Sequence, residues 1–202
     1  MAVASYSDAK SHYPPAYVLG PDGRPWHSWR VLILPYIEGH AIYQRYRFEE
    51  PWDGPNNSTL ADQMPKIFAF ATGDSEKHVA NYLAVVGTET IWPGEKPFKS
   101  EPKNGNSSTI LLVENKGLKV HWMEPRDLLF SEMSFELQKP NGISSTYRTP
   151  GVVMADGSLR SLDAEVTPET IQSMLRVKTD KELTETNKGV KLIEDGRDRE
   201  LK

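Results

Sequence analysis

Residues 27–52 read HSWRVLILPYIEGHAIYQRYRFEEPW, and residues 154–162 read MADGSLRSL. The first stretch is too apolar and aromatic for a surface loop. Ser28 is placed to cap a helix starting at Trp29. Pro35 must split that helix, because an interior proline lacks the N–H and clashes with the preceding turn. Ile33, Ile37 and Ala41 recur at four-residue spacing, as do Ile42 and Tyr46, so both halves present a face to a core. The second stretch reads as a hairpin. Asp156-Gly157 predicts a two-residue turn with positive φ at both central residues.

Outward from these anchors, Ala2 to Lys10 has a helical pattern with Val3 and Tyr6 on one face, stopped by Pro14-Pro15. Gly20-Pro21-Asp22-Gly23 is a turn signal. Glu49 to Ser58 reads as loop, and Leu60 to Phe68 as a short helical turn. The period then changes. Strands are expected near 81–87, 108–113, 128–137, 151–155 and 158–162, the run Ile110-Leu111-Leu112-Val113 being the clearest buried one. Thr167-Pro168-Glu169 starts a last helix over about 168–177, with threonine as cap and proline at the first helical position. Large loops fall at 47–80 and 92–106. Helices early and strands late predict α+β rather than repeating βαβ units. From Lys178 to Lys202, 14 of 25 residues are charged, seven of each sign, so 178–202 reads as a charged tail with an edge strand conceivable at Lys188 to Ile193.

Composition excludes several function classes. The 202 residues carry a net charge of −4, which provides no basic field for nucleic acid. Cysteine is absent, removing disulfides, thiolate metal sites and cysteine nucleophiles. His12, His27, His40, His78 and His121 show no metal-ligand spacing, and no nucleophile elbow or phosphate-binding glycine loop occurs. Glu114, Glu124, Asp127, Asp156 and Asp163 read as a solvated loop face rather than a calcium cage. A hydrolase would need two of them facing each other across a cleft. No catalytic residue, metal site or cofactor is expected. Among five tryptophans, Trp29, Trp52 and Trp122 read as plugs beneath loops. Trp26 and Trp92 are the candidates for binding a glycan or a protein surface.

Six elements in order resemble a known family. They are Ser28 to Gln44 with Trp29, Pro35 and Tyr36; Pro51-Trp52-Asp53; Asn81-Tyr82 running to Gly87; Ser107 to Glu114; Trp122 to Leu128; and Val152 to Asp156-Gly157. Together they are similar to the planctomycete prepilin-like proteins of domain of unknown function 1559, also labelled solute-binding protein family 10. The resemblance implies a pilin-like α+β head over residues 1–177, as in type II secretion pseudopilins. A truncated N-terminal helix would pack on an antiparallel sheet, with Ala2 to Tyr13 as its last turns and its membrane half missing from this chain. The implied role is a non-enzymatic, extracytoplasmic, membrane-anchored subunit with protein partners in a pilus-like or secretion assembly. The family's second label implies a solute- or glycan-binding module instead. Two departures stand out: Thr146 occupies the family's histidine position, and Phe70 to Asp74 replaces a Cys-Pro-Ser-Asp element.

Overall fold

The computed structural model describes residues 2–70, 76–102 and 105–177. The charged tail, with the strand considered at Lys188 to Ile193, lies outside them, as do Ala71 to Asp74. The chain is α+β, mixing short helices with antiparallel sheet.

Helix α1, Ala2–Lys10, buries Ala2, Val3 and Tyr6 as its spacing requires. It ends before the prolines, at Ser11, whose φ of 61° turns the chain left-handed. Next comes a hairpin absent from the sequence reading: β1, Tyr17–Leu19, pairs antiparallel with β2, Pro25–Ser28, across the expected Gly20–Gly23 turn. The 27–52 stretch breaks where Pro35 dictates. Helix α2 is Trp29–Leu32, a 3-10 turn spans Leu34–Tyr36, and α3 is His40–Arg45. Ser28 caps α2 by its extended backbone only. Its Oγ is buried without a hydrogen-bond partner. The 3-10 turn carries Tyr36, whose ring meets Tyr6 of α1 edge-on at 5.7 Å.

The strand expected over 81–87 is three strands with different partners. These are β3, Val79–Ala80; β4, Tyr82–Leu83; and β5, Val85–Val86. The breaks fall where a backbone N–H goes elsewhere: Asn81 donates to the Phe68 carbonyl and Ala84 to the Asp127 carboxylate. Strand β6, Ile110–Glu114, is buried at all five positions, as a strand covered on both faces must be. β7, Val120–His121, pairs with β3, and β8, Leu128–Leu129, lies parallel to β5. The strand expected to reach 137 stops at Leu129, because Glu132 and Met133 both turn back onto the Leu129 carbonyl.

β9, Gly151–Met154, and β10, Leu159–Ser161, complete the main sheet, an antiparallel array in the order β10-β9-β6-β4. Their connection corrects the expected two-residue turn. Gly157 alone has positive φ, 87°. Its N–H closes on the Met154 carbonyl, and Asp156 Oδ1 accepts from Ser158 N–H and Oγ–H. The loop is therefore a tight turn plus a glycine bulge, with the Asp156 side chain replacing a ladder bond. Helix α4, Pro168–Leu175, starts as expected, with Thr167 Oγ1 accepting from Thr170 N–H, and sets Ile171 and Leu175 into the core. Trp29, Trp92 and Trp122 are among its largest fully buried side chains.

One glycine is fixed by close approach. A Cβ on Gly142 would sit 2.3 Å from the Ser134 carbonyl oxygen, to which the chain is bridged at that point. Gly142→Ala is expected to destabilise by about 1–3 kcal/mol, the usual range for overpacking. A lowered urea midpoint with unchanged slope is the check.

Candidate functional site

The charged centre of the molecule joins two of the sequence elements. Arg30, in α2, is 0% exposed. Its Nη1 donates to Asp127 Oδ1 at 2.7 Å and Nη2 to Oδ2 at 3.3 Å. The remaining donors take backbone carbonyls. Nε reaches Trp122 at 3.0 Å, and Nη2 reaches Glu124 and Arg126, each at 2.9 Å. The rigid guanidinium fork thus holds the whole 122–127 loop. Asp127 also accepts from Trp29 Nε1 and from Ala84 N–H. Burial pushes the Asp127 carboxyl up, and the Arg30 guanidinium and the other donors pull it down. Every polar atom faces protein, so the pair offers no surface to a substrate.

Other motif residues are used in the same way. Glu114, on β6, accepts from Tyr82 OH at 3.2 Å and from Gly151 N–H at 2.7 Å, joining β4 and β9. Burial, and after it the neighbouring Glu114 carboxylate, pushes the Tyr82 phenol up to about 12. Asn81 Oδ1 accepts from Phe70 N–H and its Nδ2 donates to the Asn115 carbonyl. Asn115 in turn donates to Pro140 and Gly142 and accepts from Gly117 and Leu118. The solvated carboxylate face is therefore corrected for Glu114 and Asp127. Both are buried and consumed as splices between loops.

Trp92 is corrected as well. It is 1% exposed, its ring tilted against Trp29 at 5.2 Å between centroids, with Nε1–H donating to the Leu111 carbonyl at 2.7 Å. No face remains for a glycan. Trp26 is half-buried on β2, lying over Gly20, where a Cβ would overlap its ring. Trp29 and Trp122 are plugs, Trp122 donating to the Ala61 carbonyl at 3.0 Å. Trp52 is half-buried, with its ring on His121 at 4.9 Å. The structure does not bring Trp26 and Trp92 together into one surface.

A concavity among the described residues lies elsewhere. A cavity of about 1000 Å³ opens over the sheet face that carries Leu112 and Val153, walled by Val3, Ile33, Met64 and Phe68. At its rim His78 Nε2–H donates to Asp62 Oδ1 at 2.5 Å. Lys77 pairs with the same oxygen at 2.6 Å, and these two partners hold Asp62 below the usual carboxylate range. His78 has φ of 66°, a left-handed conformation that costs a non-glycine residue energy. His121 lies 5.5 Å from it, ring to ring. A His–Asp pair can move a proton, but among the described residues no nucleophile is hydrogen-bonded to it. Among the described residues no group of three histidine or acidic side chains could hold a metal ion. Sequence reading missed Asp62, which lies sixteen residues from His78 with no local signal. It also missed Arg30, where a signal existed: a lone charge inside Trp29-Arg30-Val31-Leu32 demands a buried partner.

The model of the family described as protein of unknown function, DUF1559, matches residues 1–106, just over half of the chain. The chain belongs to this family. No curated protein and no solved structure matches it. The DUF1559 match holds the elements Ser28 to Gln44, Pro51 to Asp53 and Asn81 to Gly87. The later elements are bound to them through Arg30–Asp127 and Tyr82–Glu114.

Two imidazoles of the DUF1559 chain carry a pH dependence. Burial lowers His27, which shares a 2.8 Å hydrogen bond with Tyr46 OH, and burial together with neighbouring His78 lowers His121. His121 Nδ1 accepts from Met123 N–H, a bond that needs the bare nitrogen. A depressed imidazole binds fewer protons in the native state than in the unfolded chain. This contribution is therefore fully present above the unfolded value near 6.5 and is lost as pH falls through that value towards the folded ones. The urea midpoint is expected to drop between pH 7.5 and 5.5. The lowered carboxylates titrate below this window. His121→Phe should flatten the decline, and a midpoint that rises on acidification would contradict it.

Proposed function

We propose that this chain is the extracytoplasmic head of a membrane-anchored, prepilin-like protein of the planctomycete group, pilin-like as in type II secretion pseudopilins, and that it works by protein–protein contact rather than catalysis. The observation that carries this reading is the fate of the motif residues. Arg30, Asp127, Glu114, Asn81 and Tyr82 are all engaged in joining segments of the fold. A signature used that way specifies a scaffold, and leaves the exposed loops to carry specificity. Helix α1 fits the same reading, since a helix whose buried face begins at Ala2 and Val3 is suited to continue an upstream anchor. No helix of the described residues is itself long and apolar enough to cross a membrane.

The test is to express the native gene with its own N-terminus and fractionate the cells. Retention in the envelope with pilin-type proteins co-purifying is expected. A soluble monomer from the full native gene would defeat the reading.

The cavity favours one alternative, an extracytoplasmic solute-binding module. Its walls are largely apolar, so the solute would be apolar rather than a glycan. A thermal-shift screen comparing alkyl and aromatic solutes with sugars separates the two classes. No shift with any apolar solute would remove this alternative.

A further inference from the structure

The main sheet has two edges, and they differ. β4, at one edge, is flanked by Asn81 and Ala84, whose N–H groups are bonded to Phe68 and Asp127. β10, at the other, carries no further strand among the described residues. Its pairing with β9 is Leu159↔Val153, Arg160↔Val152 and Ser161↔Gly151. Met154 N–H bonds the Ser158 carbonyl and Leu162 N–H bonds the Pro150 carbonyl. Antiparallel ladders alternate, so Ser158, Arg160 and Leu162 point their backbone groups towards β9. The N–H and C=O groups of Leu159 and Ser161 therefore point away from it, and none has a partner among the described residues. Unpaired edge groups of this kind are a template for another strand.

The side chains extend that template. Residues directly opposite in a ladder share a face, so Leu159, Val153 and Leu112 form one apolar row across three strands. Leu159 is 77% exposed, and this row lines the 1000 Å³ cavity. On the opposite face Arg160 is exposed. After the Ser158 hydrogen bonds, its charge helps draw the nearby Asp156 carboxyl down, but it closes no ion pair among the described residues.

We propose that β10 is a docking edge for an extended segment of a second polypeptide, which adds a fifth antiparallel strand, sets apolar side chains beside Leu159 at the cavity mouth and places an acidic residue opposite Arg160. The inference rests on the interaction-subunit reading and names the surface it would use. A second copy of this chain is the poorer occupant. Only odd-numbered residues expose their backbone, so the register that overlaps all three residues sets Arg160 against its own copy, and like charges directly opposite are repelled.

The test uses the full chain and the synthetic peptide Thr-Val-Thr-Val-Glu-Val-Thr-Val-Thr, read by amide hydrogen exchange. In the free protein, rapid exchange is expected at Leu159 and Ser161. Saturating peptide should slow both by about tenfold or more. Lysine in place of the peptide's glutamate should weaken binding about threefold or more. Ser161→Pro removes an outward N–H and leaves the ladder to β9 intact, so it should abolish protection without loss of thermal stability. If that variant fails to fold, Leu159→Asp serves the same purpose through the apolar row. Unchanged exchange with peptide, protection that survives the substitutions, or slow exchange in the free chain (the edge already covered by its own tail or a second copy) would each overturn the proposal. Membrane fractionation is independent of this outcome, so failure of the anchoring reading and failure of the docking edge are distinguishable.

Discussion

Asp127→Ala is expected to destabilise the fold by about 3–5 kcal/mol, the cost of leaving one member of a buried ion pair alone. Arg30 is fully buried and cannot lose its proton, so its charge would remain in the core uncompensated. The Ala84 N–H and the Trp29 indole N–H would lose their acceptor as well. Against a typical total of about 5–15 kcal/mol, the variant would be close to unfolding at room temperature. The double variant Arg30→Met/Asp127→Leu separates two accounts. If the pair were a simple ion pair, two apolar residues would restore most of the loss. Arg30 also serves the carbonyls of Trp122, Glu124 and Arg126, so restoration should be partial only. Urea unfolding of the wild type and the two variants measures this. A loss below about 1 kcal/mol in Asp127→Ala would show that the junction does not hold the two halves of the chain together.

That junction marks the boundary of what sequence shows. Elements whose cause lies within one turn of chain were legible: Val3 and Tyr6 on α1, the break at Pro35, Thr167-Pro168 at the start of α4, and the apolar run of β6. Arg30 and Asp127 are 97 residues apart, and no local pattern links them. The same holds for Asn81 with Asn115 and Tyr82 with Glu114, and for the bonds from Asn81 N–H to Phe68 and Ala84 N–H to Asp127 that mark where the 79–86 segment changes partner. A periodic reading sees one strand there, since the alternation is right and only the acceptors differ. The turn at Asp156-Gly157 was placed correctly and its geometry was not. A bulge costs one residue of register and leaves no mark on composition. The candidate cavity was illegible for a further reason: its walls come from α1, the 64–70 segment and the sheet, and only the tertiary fold brings them together.

Trp92→Ala is expected to cost about 3–5 kcal/mol, the range for truncating a buried tryptophan or phenylalanine. In local text Trp92 sits among prolines, glycines and charges, the setting of an exposed loop aromatic. Yet its ring packs on Trp29 and its N–H reaches across to β6, so the loop is pinned to the core at Trp92 rather than displaying that ring above it. Truncation removes the ring contact with Trp29 and leaves the Leu111 carbonyl without its donor inside a strand covered on both faces. Trp92→Phe divides these effects. It keeps most of the apolar ring and loses the N–H, so its cost should fall near the 1–3 kcal/mol of an unsatisfied buried acceptor. Trp26→Ala is the contrasting case, because a half-buried ring over Gly20 has less to lose and should cost under about 2 kcal/mol. The order Trp92→Ala, then Trp92→Phe, then Trp26→Ala in urea midpoint is therefore diagnostic. If Trp92→Ala left the midpoint unchanged, the ring would have to face solvent, and Trp92 would again stand beside Trp26 as a contact residue.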